Sequence, residues 1–75
     1  MIRIKVGEFI DDAGLSRNAV AREAKIRSNA IYEMASNETK RLDLETFNKV
    51  IETLRNMTGR DITIADMLEY TPDDK

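Results

Sequence analysis

The sequence predicts a mainly α-helical fold: one compact domain of five short helices, with a brief N-terminal β-strand able to pair near the C-terminus. Three observations carry that expectation. Apolar residues recur at helical spacing, most clearly at Phe47, Val50, Ile51 and Leu54, which keep the i, i+3, i+4, i+7 pattern of a single buried face. Cap-forming residues such as Ser16 and Asp43 stand at the head of these runs, and Gly14 and Asn37 stand where runs end. The period-two stretch at the start of the chain is too short to found a sheet of its own.

Composition narrows the class further. At 75 residues the chain is a single domain, and a domain this small buries only roughly 60% of the surface its unfolded chain exposes. With 41% hydrophobic and 35% charged residues it lies in the globular range. The absence of cysteine removes disulfides and thiolate metal sites. No apolar stretch approaches the roughly 20 residues of a membrane span, and the first residues lack a signal-peptide core, so a cytoplasmic location is expected. The net charge of −2 hides a strong polarity. Residues 15–41 hold six basic and three acidic side chains, a net of +3, whereas residues 42–75 hold four basic and eight acidic, a net of −4. A basic island on an acidic body can dock on a polyanion despite its overall sign.

Residues 2–6 alternate, with Ile2, Ile4 and Val6 on one side and Arg3 and Lys5 on the other, and read as a strand ending at Gly7 with Leu68–Thr71 as antiparallel partner. The competing reading runs the first helix back to the start. From Glu8 the period becomes helical through Phe9, Ile10 and Ala13. Ser16 caps the next helix, with Leu15 and Val20 placed as a hydrophobic staple and Val20, Ala21 and Ala24 as its buried stripe. Lys25-Ile26-Arg27 is a tight turn, and a third helix begins near Ser28 and buries Ile31, Met34 and Ala35. Asp43 caps the fourth helix, with Leu42 and Phe47 as its staple. A last short helix, Ile64 to Leu68, begins behind Thr63 with Asp66 three residues on, and residues 71–75 form a tail.

The informative unit is 15–36: helix, three-residue turn, helix. Small residues at Ala21 and Ala24 allow two short helices to approach closely, and Ile26 and Ile31 fill the centre between them. This spacing is the packing pattern of a DNA-binding helix-turn-helix. Nothing supports catalysis. Without His or Cys the usual general bases and nucleophilic relays are missing, and three glycines form no phosphate loop.

The sequence resembles the lambda-repressor-like, or Xre-type, helix-turn-helix family, which includes the lambdoid phage repressors and Cro proteins. Leu15 to Ala24 looks like that family's second helix and Asn29-Ala30-Ile31-Tyr32 like the start of its recognition helix. Thr39 to Phe47 resembles the following loop and fourth helix, and Asp66 to Tyr70 the closing turn. The likeness spans about residues 7–70. It implies a five-helix fold, operator binding as a homodimer, transcriptional control, most simply repression, and no cofactor. The chain departs from the family in the turn, where Lys25 stands at a position that favours glycine and Arg27 at one that favours a Ser or Thr cap.

Four residues of the third helix are candidate base readers. Asn29 lies in its first turn and suits adenine N6 and N7; Ser28 can cap the helix or reach a phosphate or base edge. Tyr32 can touch a thymine methyl or a phosphate, or pack half-buried. Glu33 can accept from cytosine N4 or act by exclusion. Arg17, Arg27, Asn37, Lys40 and Arg41 are candidate phosphate contacts on either side of that helix. Arg22, by contrast, reads as a helix-surface charge. No metal, cofactor, membrane or small-molecule ligand is implied. The dimer surface stays open between the strand over 2–6, the last helix with the tail, and neither of them in the absence of DNA. A rival reading is a protein-interaction or antitoxin-like module on the same scaffold.

Overall fold

A computed structural model of the chain describes residues 1–36 and 41–72. Its elements follow the order β1 (Ile2–Ile4), α1 (Val6–Asp12), α2 (Arg17–Ala24), α3 (Ser28–Ser36), α4 (Leu44–Thr58), α5 (Ile64–Met67) and β2 (Leu68–Tyr70). The two strands form one antiparallel ladder pairing Ile2 with Tyr70, Arg3 with Glu69 and Ile4 with Leu68. The expected strand partner near the C-terminus is therefore present.

The strand is shorter and the first helix longer than the alternation suggested. The backbone leaves the extended region at Lys5, whose amide donates to the Met67 carbonyl at 2.7 Å, and α1 starts at Val6. Ile4 ends the strand and Val6 opens the helix, and both are buried, so the apolar alternation runs on across the junction without marking it. Ile2 overhangs the core and is 70% exposed, opposite an exposed Tyr70.

Helix boundaries obey local chemistry. The Ser16 hydroxyl accepts from the Ala19 amide at 3.0 Å, a cap whose loss costs about 1 kcal/mol. Asp43 accepts from the Thr46 hydroxyl at 2.6 Å and the Thr46 amide at 3.2 Å. The Thr46 hydroxyl bond above all holds the Asp43 carboxyl below the usual carboxylate range. Thr63 and Asp66 tie the entry to α5, the Thr63 amide donating to the Asp66 carboxylate at 2.9 Å. At the end of α1, Gly14 is left-handed at φ 74°. The Leu15 amide bonds the Ile10 carbonyl and the Gly14 amide that of Asp11, the paired bonds of a Schellman stop.

Val6, Ile10, Val20, Ile31, Val50, Leu54 and Met67 are fully enclosed, and Phe47, Met34 and Ala21 close around them. Both staple pairs, Leu15 with Val20 and Leu42 with Phe47, belong to this cluster. Ile62 joins the core from the α4–α5 connection. That connection is held by Arg55, whose guanidinium donates to the Ile62 carbonyl at 2.7 Å and pairs with Asp61 at 2.8 Å. No described helix is long and apolar enough to cross a membrane.

Candidate nucleic-acid interface

Helix α3 divides into two faces. At about 100° per residue, Ser28, Asn29, Tyr32 and Glu33 lie within an arc of about 140°, and all four are exposed, Tyr32 by 46%. Ile31 and Met34 occupy the other side and are buried. Among the described residues, none accepts from or donates to the side chains of Asn29, Tyr32 or Glu33. Their amide, phenol and carboxylate therefore face solvent with bonding capacity to spare. Ser36 shares the same face, one turn beyond Tyr32 and Glu33; its hydroxyl donates back to the Tyr32 carbonyl at 2.9 Å. Ser36 is also the last residue of α3. The i, i+3, i+4, i+7 series 29, 32, 33, 36 is the signal that places it on this face.

The charged flanks are less uniform. Arg27 precedes α3 and is exposed, and Arg41 is exposed just ahead of α4. Arg17 is also at the N-terminus of α2, as expected, but its guanidinium reaches back to Asp11 of α1, with both nitrogen–oxygen pairs at 3.3 Å. A phosphate at Arg17 must displace this carboxylate, and an exposed pair of this kind is worth at most about 1 kcal/mol. Asn37 and Lys40 lie outside the described residues.

The turn into α3 shows what the unusual Lys25 does. It adopts φ 60°, ψ 43°, the left-handed conformation that glycine takes at no steric cost. The Ile26 amide bonds the Ala21 carbonyl at 3.0 Å and the Lys25 amide that of Arg22 at 3.2 Å. This is the same Schellman stop as at Gly14, so the turn keeps its geometry and Lys25 carries the strain. Lys25→Gly is expected to stabilise the domain by about 0.5–1 kcal/mol, read as a rise in thermal midpoint. An unchanged or lower midpoint would show that the strain is not borne there.

What seats α3 is a set of close approaches. Helix α2 packs on α3 through Ala21 and Ala24, which are 2% and 6% exposed and admit the neighbouring helix closely. Helix α1 packs on α3 at Gly7. A Cβ placed on Gly7 would lie 2.7 Å from the Ala35 carbonyl oxygen and 2.9 Å from its Cα, so the two backbones touch. Gly7 lies inside α1 and is not the strand end that the alternation over 2–6 predicts. Its place three residues before Ile10, on the buried face of α1, is the clue to packing instead.

Two helices joined by a three-residue turn, the second exposing a polar face, make a helix-turn-helix DNA-binding domain. The chain belongs to the family of Cro/C1-type HTH DNA-binding domains, whose model matches residues 5–73. It matches no curated protein and no solved structure.

Proposed function

We propose that this domain is a sequence-specific transcriptional repressor that binds operator DNA with α3 in the major groove. The observation that carries the reading is the exposed, unengaged face of α3 at Asn29, Tyr32 and Glu33, with exposed Arg27 before the helix in the chain and exposed Arg41 after it. In this arrangement Ser28, Asn29, Tyr32 and Glu33 read base edges. Arg17, Arg27, Asn37, Lys40 and Arg41 hold phosphates and fix the register. One short helix buries too little surface for high affinity, so the operator is two half-sites about one helical turn apart, bound by a homodimer. The domain acts without cofactor or small-molecule ligand, in the cytoplasm of a bacterial or phage-infected cell.

Selection of bound sites from a random duplex pool, followed by a salt titration on the winner, tests this. Affinity is expected to fall steeply as salt rises, with each phosphate contact contributing about 0.9 to the log–log slope. Arg41→Ala is expected to flatten that slope by about one contact and to weaken all duplexes alike. A pool that enriches no sequence, or binding indifferent to salt, removes the repressor reading. Capture of a protein partner through α3 instead would establish the interaction-module reading, which the acidic second half of the chain favours.

A further inference from the structure

We propose that Asp11 is an internal competitor for phosphate: its carboxylate occupies the Arg17 guanidinium in the free domain and so limits how tightly the domain can hold DNA. The observation it starts from is an asymmetry among the candidate phosphate contacts. Among the described residues, Arg27 and Arg41 make no ion pair. Arg17 is held by a fork, Nη1 against Oδ1 and Nη2 against Oδ2 of Asp11, each at 3.3 Å. A guanidinium takes two phosphate oxygens with the same fork, so carboxylate and phosphate contend for the same donors.

The fold brings this pair together; it is not a chance meeting of two loose side chains. The Gly14 and Leu15 amides close α1 on the Asp11 and Ile10 carbonyls, and the Ser16 hydroxyl caps α2. Both stems are thereby fixed on either side of the corner over 13–16, and the Arg17 side chain is only 31% exposed. Asp11 also stands where local chemistry disfavours an acid. It lies in the last turn of α1, at the negative end of that helix's dipole, and no basic residue of the turn offsets it. What it meets there is the first residue of α2, beside free amides and a dipole that favour an anion.

The hold is one that a phosphate can break. The Arg3–Glu8 and Arg55–Asp61 pairs, which tie elements together, close to 2.9 and 2.8 Å. Those are the lengths of tight charge-assisted bonds, and both arms of the Arg17–Asp11 fork are longer. A solvent-exposed pair of this kind shifts an equilibrium by up to about fivefold. Every duplex that draws on Arg17 gives up that factor to the carboxylate. The consequence for DNA rests on the repressor reading; the contest for the guanidinium does not.

Asp11→Asn keeps the side chain's size, removes its charge and relieves the end of α1, so the fold is expected to hold. Its control is Asp12→Asn, an equal change of net charge at an exposed neighbour that pairs with no described residue. In rising inorganic phosphate at constant ionic strength, the Arg17 guanidinium nitrogen signals are expected to move further in Asp11→Asn than in the parent or in Asp12→Asn. Signals that move alike in all three overturn the proposal. On duplex DNA, Asp11→Asn is expected to bind about three- to fivefold more tightly than the parent, and Asp12→Asn within about twofold of it. Adding Arg17→Ala is expected to reduce the Asp11→Asn gain to that of Asp12→Asn. Equal gains from the two single variants, or a gain that survives without Arg17, also overturn the proposal. So does weaker binding by Asp11→Asn, which would make the carboxylate a support that orients Arg17 instead of a competitor. A chain whose Arg17 signals answer inorganic phosphate as expected, yet which binds no duplex, upholds the contest at Arg17 and removes only the repressor reading.

Discussion

Replacing Gly7 by alanine is expected to destabilise the domain by about 1–3 kcal/mol, although alanine is the better helix former by up to about 1 kcal/mol. The expectation follows from space. The added methyl would stand 2.7 Å from the Ala35 carbonyl oxygen and 2.9 Å from its Cα, and neither of those backbone atoms can rotate away. Either α1 or α3 must shift, and both are anchored by enclosed side chains, Ile10 on one and Ile31 on the other. A domain of this size has a total stability of about 4–11 kcal/mol, so the loss is a sizeable fraction of the whole. It corresponds to a midpoint about 5–20 °C lower in a thermal melt. Gly14 offers the contrast: a Cβ there meets nothing within 4 Å, and any cost of Gly14→Ala comes from its positive φ alone. A Gly7→Ala midpoint equal to or above that of the parent chain would mean the α1–α3 contact is looser than described. Because that contact seats α3, the proposed reading helix, the variant should also lose site-specific affinity more than its affinity for bulk duplex.

Features that depend on a few neighbouring residues were legible in the sequence; features that depend on distant ones were not. Ser16 and Asp43 cap because a short side-chain oxygen reaches the amide three residues on, whatever the rest of the chain does. The α4 stripe is equally self-contained. The outward face of α3 was legible for the same reason, since burial of Ile31 and Met34 sends Asn29 and Tyr32 to the opposite side. Gly7 was misread because its role lies in a backbone contact with residue 35, across three elements. The engagement of Arg17 by Asp11 joins two helices across a turn, and nothing in spacing alone forces it. Ile62 and Met67 enter the core from stretches too short or irregular to show a period. Lys25 stands between these cases. The glycine-like demand of the turn was foreseeable, but only the fold shows that the chain accepts the strain and keeps the stop.

The largest effect on recognition itself is expected from Asn29→Ala. Asn29 lies in the first turn of α3, the part of a recognition helix that enters the groove, and it is exposed and bonded to no described residue. A free carboxamide can donate to N7 and accept from N6 of one adenine in a flat bidentate pair, which discriminates by about 1–3 kcal/mol against other bases. Removing it should weaken the selected site about 5–150-fold while bulk duplex affinity, set by phosphate contacts, stays within about twofold. Folding should be untouched, because alanine suits a helix interior and the lost side chain packs on nothing. The pairing of a changed specificity ratio with an unchanged melt separates Asn29 from Gly7, whose substitution moves both. Competition binding against selected and scrambled duplexes reads the ratio. Equal losses on the two would assign Asn29 to the phosphate backbone and shift base reading one turn along, to Tyr32 and Glu33.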